Sequence, residues 1–325
     1  MNSILLFFIG LVIITIGAEL LLKGASKIAS LLGIRPIVIG LTVVSIGTSL
    51  PELAVGIAAI QDGAADMAIG NIAGTNLVNI LFILGLSAAI KPFKLQIKAI
   101  KFEMFVMIFA AVLLLIFCID GILSYWNGLM MLILGIAYLI LIVRRSKKED
   151  KKIQDEYDEE YHLDTQQGKR RALVWLKNIG FLIIGIAGTI WGADLLVSGA
   201  TSIAKTLGLS DAIIGLTIIA IGTSAPELIT TLVATFKGDR DVAVGNLIGS
   251  CITNILIILS ITTLFVPEGL QVNKDILWFD LPLAALVAFA CYPVFKSDQK
   301  ISRTEGIIFA SSYVVYIIFL LYFRT

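Results

Sequence analysis

Apolar runs of about the length that crosses a bilayer as a helix recur along the whole chain, separated by short polar connections. They predict helices near 4–22, 36–60, 64–90, 102–119, 122–143, 179–197, 212–236, 242–265, 277–295 and 306–322. Nothing in the chain alternates apolar and polar residues over stretches of about ten, as membrane barrel strands do. The pattern therefore predicts an all-α integral membrane protein of about ten transmembrane helices. The one long polar stretch, Arg144–Arg171, carries dense charge of both signs and too little apolar surface to pack alone, and reads as a hydrophilic linker.

The pattern is also written twice. Gly17–Pro92 aligns on Gly192–Pro267 without a gap, so the chain divides into a first repeat (1–143), a linker (144–172) and a second repeat (173–325). Five helices per repeat is an odd number, which inserts the second copy upside down. Transporters built from inverted repeats place their site near the bilayer midplane where the copies meet, and line it with interrupted helices.

Composition and charge sharpen this. Hydrophobic residues make up 58% of the chain, which excludes an ordinary soluble domain. Basic residues are dispersed over loops, which gives nucleic acid no patch to bind. Lys23, Lys27 and Arg35, then Lys91, Lys94, Lys98 and Lys101, then Arg144, Arg145, Lys147 and Lys148, then Lys296, Lys300 and Arg303 follow helices one, three, five and nine. The positive-inside rule puts those connections and the linker in the cytoplasm, both termini outside, and the chain in the cell membrane. Met1–Leu22 lacks a basic start and reads as the first span, not a cleaved signal. Cys118, Cys251 and Cys291 are too scattered for a metal or redox motif and read as packing residues.

The candidate chemistry lies in the most polar stretch of each repeat. Ser45-Ile-Gly-Thr-Ser-Leu-Pro-Glu52 and Ala220-Ile-Gly-Thr-Ser-Ala-Pro-Glu227 each set a glutamate mid-span. A carboxylate there costs about 2.5–3.5 kcal/mol even on the lenient insertion scale, so a duplicated one calls for a cation. Ser45, Thr48, Ser49 and Glu52 share one helical face, and Thr223, Ser224 and Glu227 repeat it. Pro51 and Pro226 interrupt the helices and are expected to free the carbonyls of Gly47 and Gly222. Two carboxylates with hydroxyl and carbonyl oxygens suit hard cations such as Na⁺ and Ca²⁺. A plain kinked helix would explain one copy, but not two.

Downstream, Gly70-Asn71-x-x-Gly74-Thr75-x-x-x-Asn79 pairs with Gly245-Asn246-x-x-Gly249-Ser250-x-x-x-Asn254. The glycines permit close helix packing. Thr75 with Asn79, and Ser250 with Asn254, put paired polar groups on one face as further ligands, whereas Asn71 and Asn246 read as braces or caps. Glu19 and Asp194 correspond across the repeat near predicted span ends and read as structural. Glu103 reads as an interfacial anchor, and His162 and the acidic Asp155–Asp164 run as solvated linker.

These paired motifs resemble those of the cation/calcium exchanger superfamily, most closely its compact prokaryotic sodium/calcium exchangers. The resemblance implies a Na⁺/Ca²⁺ antiporter working by alternating access, with Glu52 and Glu227 bridging calcium. It implies that Thr48, Ser49, Thr223 and Ser224 take part in sodium and calcium sites, that Ser45 and Ala220 give backbone carbonyls, and that Thr75 and Ser250 complete outer sodium sites. Na⁺ and Ca²⁺ are then substrates, no resident cofactor is needed, and the first and sixth helices slide past an ion-binding core. Many relatives, the potassium-dependent branch included, carry aspartate at Asn79 or Asn254. Asparagine at both removes a titratable group and argues against potassium co-transport. A Ca²⁺/H⁺ antiporter using the same glutamates as proton acceptors is the alternative, and a cation channel a further one. An enzyme is disfavoured, because no membrane-embedded His or Lys stands ready to activate Ser49 or Ser224.

Overall fold

The computed structural model describes residues 3–61, 63–94, 97–146, 169–207, 220–297 and 300–323. Among them, nine helices are long and apolar enough to cross a bilayer. They are α1 (Ser3–Leu32), α2 (Ile37–Gln61), α3 (Ala65–Ile90), α4 (Ile100–Phe117), α5 (Tyr125–Ser146), α6 (Ala172–Thr206), α8 (Arg240–Leu264), α9 (Ile276–Phe295) and α10 (Arg303–Tyr322). The predicted span 212–236 is represented by its second half, α7, in two pieces, Ala220–Thr223 and Ala225–Lys237; residues 208–219 lie outside the described part. The protein is an all-helical, multi-pass membrane protein of two inverted repeats.

Three boundaries differ from expectation. Helices α1 and α6, predicted as 4–22 and 179–197, run to 30 and 35 residues, about 45 and 53 Å at 1.5 Å per residue and longer than a hydrocarbon core of about 30 Å. The residues added to α1, Lys23–Leu32, include Ala, Lys and Leu, which favour helix, so Lys23 and Lys27 ride on α1 and not on a loop. The helix stops only at Gly33, whose φ of +63° suits glycine. Residues assigned to the linker are helical at both its ends: α5 carries Arg144 and Arg145 in its last turn, where cations complement the helix dipole, and the sixth helix begins at Lys169. The linker's middle, 147–168, with His162 and the acidic run, lies outside the described residues.

Burial sorts the helices. In the most apolar stretch of each, 94% of α8 and 78% of α3 is buried, against 28% in α1 and 22% in α6. So α3 and α8, which carry the paired Gly-Asn motifs, form the core, while Ile4, Phe8, Val12 and Ile16 along α1 face outward as a lipid-contacting stripe. The repeats interlock: α3 packs on α10, α4 on α9, and α8 on both α5 and the first half of α2. Of the two small-residue pairs, only Gly245 and Gly249 lie against a neighbouring backbone; a Cβ on Gly70 would meet only the Ile276 side chain, at 3.1 Å, and one on Gly74 nothing within 4 Å. A Cβ on Gly245 would lie 2.6 Å from the Ile37 carbonyl, and one on Gly249 2.7 Å from Leu41 Cα. Two short antiparallel ladders clip loops of opposite repeats together, β1 (Phe93–Lys94) with β4 (Lys300–Ile301), and β2 (Ile122–Leu123) with β3 (Leu270–Gln271).

Helices α1 and α6 form a separate antiparallel pair. Gly10, Gly17 and Gly24 recur every two turns on α1, and their repeat counterparts Gly185, Gly192 and Gly199 do so on α6. A Cβ on Gly10 would meet Leu196 N at 2.4 Å, on Gly17 Thr189 N at 2.6 Å, and on Gly24 the Asn178 carbonyl at 2.7 Å. The two backbones therefore touch along a glycine seam. Buried Cys118, Cys251 and Cys291 are free thiols within the packing.

Candidate functional site

Both Thr-Ser-x-Pro-Glu motifs break their helices in the same way. In α2 the break falls at Ser49 (φ −87°, ψ 6°), and in α7 at Ser224 (φ −87°, ψ 9°). The helices restart at Leu50 and Ala225, which puts Pro51 and Pro226 second in the new helix, where a missing N–H costs no hydrogen bond. Glu52 and Glu227 then fall in the first turn, where the helix dipole favours a carboxylate. One sequence motif, read twice, delivers two glutamates from breaks of equal geometry.

Both carboxylates are fully buried. Contacts between repeats surround them. Ser49 Oγ of the first repeat donates to Glu227 Oε1 of the second at 3.3 Å, and Ser250 Oγ donates to the same oxygen at 3.5 Å. Thr48 Oγ1 donates to Asn246 Oδ1 at 3.2 Å, and Ser45 Oγ lies 3.4 Å from Thr253 Oγ1. The Ser45 carbonyl accepts Ser49 N–H at 3.1 Å and Thr48 Oγ1 at 3.4 Å, so ligation by that oxygen would compete with both. Ala220 opens the first piece of α7 at the position matching Ser45, and Thr223 is half-buried.

Several oxygens in this cluster have no protein partner. Both carboxylate oxygens of Glu52, Oε2 of Glu227, Oγ of Ser224 and Oδ1 of Asn79 and of Asn254 are buried without a hydrogen bond. Such groups cost about 1–3 kcal/mol each unless something satisfies them, and more when charged. A hard cation of radius suited to oxygen ligands would satisfy them. Among the described residues no three His, Cys, Asp or Glu side chains group as they would around a metal ion.

The α3 and α8 motifs flank the glutamates. Thr75, Asn79, Ser250 and Asn254 are all buried. Widened π-helical turns begin within one residue of corresponding places, Val78–Leu84 and Asn254–Leu259, a local distortion frequent at functional sites. Asn246 acts as a brace, accepting from Thr48 and donating to Thr231 Oγ1 at 3.5 Å. Glu19 and Asp194 are exposed and away from the cluster, and Glu19 pairs with Lys237 at 3.2 Å. Because α1 continues to Leu32, Glu19 sits mid-helix and not near an end as expected. Glu103, read as an interfacial anchor, is buried.

Sequence reasoning missed Asn76, which accepts from Asn254 Nδ2 at 3.4 Å and donates to the Cys251 carbonyl at 3.3 Å. It also missed buried Thr230, Thr231 and Thr253. Their repeat counterparts are Cys251, Val55, Gly56 and Val78, so a search for duplicated polar positions passes over them. Thr230 and Thr231 follow Glu227 at the three- and four-residue spacing of a shared helical face, the signal that would have found them.

A family model described as sodium/calcium exchanger protein matches residues 2–144 and again 177–322, once per repeat. The sodium/calcium exchanger MaX1 of Methanosarcina acetivorans is 33% identical over 347 residues, covering 98% of this chain and 99% of the relative. Inner membrane protein YrbG of Escherichia coli is 34% identical over 317 residues, 96% of this chain and 94% of its own length. A structure of the sodium-calcium exchanger NCX_Mj soaked with zero Na⁺ and Ca²⁺ superposes with a TM-score of 0.82 at 31% identity, covering 98% of this chain and 99% of that one. With both repeats matched, the full length covered and the fold shared, the chain belongs to the sodium/calcium exchanger family of secondary transporters.

Proposed function

We propose that the protein exchanges Na⁺ for Ca²⁺ by alternating access, with Glu52 and Glu227 holding one calcium ion between the repeats. Thr48, Ser49, Thr223, Ser224, Thr75, Ser250, Asn79 and Asn254, with the Ser45 and Ala220 carbonyls, supply the neutral oxygens for calcium and sodium. The observation that carries this reading is the convergence of two buried glutamates from opposite repeats, one with both oxygens unpartnered and the other held by hydroxyls from both halves.

The electrostatics favour obligatory exchange. Two buried carboxylates with no counter-ion are costly to carry through a low-dielectric barrier, and a calcium ion or sodium ions remove that cost. Only the loaded pocket then interconverts readily between its two openings. The α1–α6 pair, closed on itself by its glycine seam and resting on the cores at Gly47 and Gly222 through Ile186 and Val197, is the element suited to slide. We place repeat 1–143 and repeat 173–325 on either side of a cytoplasmic linker, with both termini outside.

Calcium uptake into proteoliposomes, driven by an outward sodium gradient with the pH gradient collapsed, tests the reading. Saturable, sodium-dependent uptake is expected. Uptake that ignores sodium and follows a pH gradient instead would assign the glutamates to proton return.

A further inference from the structure

Away from the ion site, a cavity of about 490 Å³ opens between the end of α1, the start of α6 and the turn joining α7 to α8, on the face that carries the linker. Four lysines line it: Lys23 and Lys27 from α1, Lys177 from α6 and Lys237. Lys237 is taken by Glu19. The other three have no carboxylate partner among the described residues; Lys23 and Lys177 each lie over the Phe181 ring, at 5.4 and 5.5 Å from its centre. Asp239 is the one acidic residue of the lining and is itself engaged.

Uncompensated cations lining one cavity repel one another, so the cluster stands ready for an anion. The cavity also contains Ser26, whose buried Oγ has no hydrogen-bond partner. Thr42, Ser45 and Thr263 bond back to the carbonyl four residues earlier, whereas the Ser26 hydroxyl, like that of Ser30 on the same helix, is left without such a bond, and Ser26 is the one that lines this cavity. Beside the lysines the lining includes apolar Leu22, Val174 and Phe181. Cations above an apolar wall at a helix-bundle surface match an amphipathic anion.

We propose that this cavity binds a phosphate group carried by an anionic phospholipid, with Lys23, Lys27 and Lys177 neutralising the phosphate and Ser26 donating a hydrogen bond to it. Because its walls come from α1 and α6 on one side and from the α7–α8 turn on the other, the bound headgroup bridges the pair and the core. The inference concerns binding and stands whether or not the ion site works as proposed above.

The test is lipid retention by the purified full-length protein, measured by native mass spectrometry and by titration of phosphatidylglycerol against phosphatidylcholine. The triple variant Lys23→Gln/Lys27→Gln/Lys177→Gln should lose phosphatidylglycerol affinity by about a hundredfold, at roughly one unit of ion attraction per lysine. Ser26→Ala should lose about fivefold with the charge unchanged. The equal-charge control Lys94→Gln/Lys98→Gln/Lys101→Gln should retain wild-type affinity. Competition by millimolar inorganic phosphate would support the site but identify the free anion as a source, whereas phosphate without effect would fix the source as the headgroup. Equal losses in triple variant and control would overturn the proposal in favour of diffuse surface attraction. So would lipid binding that emerges only when the acidic side chains of residues 155–164 are neutralised, which would make the linker the occupant.

Discussion

Replacing Gly192 by alanine probes the seam that makes α1 and α6 one body. A Cβ at Gly192 would lie 2.4 Å from Ile14 N and 2.8 Å from Ile14 Cα and Cβ, all atoms fixed to the α1 backbone. An ordinary carbon contact needs about 3.5–4.0 Å, so the helices must part by roughly 1 Å, and the tight neighbouring contacts at Gly188 and Gly185 are lost with it. Overpacking of this kind costs about 1–3 kcal/mol, against the helix preference of alanine over glycine, worth up to about 1 kcal/mol. Gly180, on the same helix, supplies the control, since a Cβ there meets nothing within 4 Å. Gly180→Ala should therefore be neutral or stabilising. In detergent, thermal unfolding should rank Gly180→Ala at or above wild type and Gly192→Ala below it. Calcium KM should stay unchanged in both, because neither residue touches the ion cluster, while turnover falls in Gly192→Ala. Equal stability for the two variants would refute the seam.

Other expectations are simpler to state. Glu52→Gln and Glu227→Gln should each abolish sodium-driven calcium uptake while the protein still inserts and folds, and full transport by either would remove that glutamate from the site. Ser49→Ala takes one hydroxyl from Glu227 Oε1 and should raise calcium KM by about tenfold, the lower end for a hydrogen bond to a charged group given its 3.3 Å length; an unchanged KM would mean that contact is idle in the loaded state. Asn254→Asp adds a third carboxylate beside Asn76 and should make exchange pH-dependent or alter ion selectivity, as flux across a pH series would show; an identical profile would mean that the side chain does not face the ions.

Much of this was legible in the sequence because the repeat supplied an internal comparison. The duplicated Gly-Thr-Ser-x-Pro-Glu motif located both helix breaks, and equal φ and ψ at Ser49 and Ser224 follow from equal local sequence. At both motifs the helix restarts one residue ahead of its proline, at Leu50 and Ala225, a restart point that the proline alone does not specify. Helix ends at α1 and α6 were underestimated because hydropathy marks where the bilayer ends, whereas Lys23–Leu32 continues the helix by propensity and by packing at Gly24. Unduplicated polar residues such as Asn76 and Thr231 escaped for want of a counterpart, and the basic cavity escaped because Lys23 and Lys177 meet only in the fold.

The account rests on one ion shared by glutamates of opposite repeats. Anomalous diffraction from crystals soaked in Sr²⁺ as a calcium substitute would locate that ion directly. The account predicts a single strong peak bonded to carboxylate oxygens of both Glu52 and Glu227, at or slightly beyond the roughly 2.3–2.6 Å typical of calcium. A peak that touches only one of them, or neither, would contradict it.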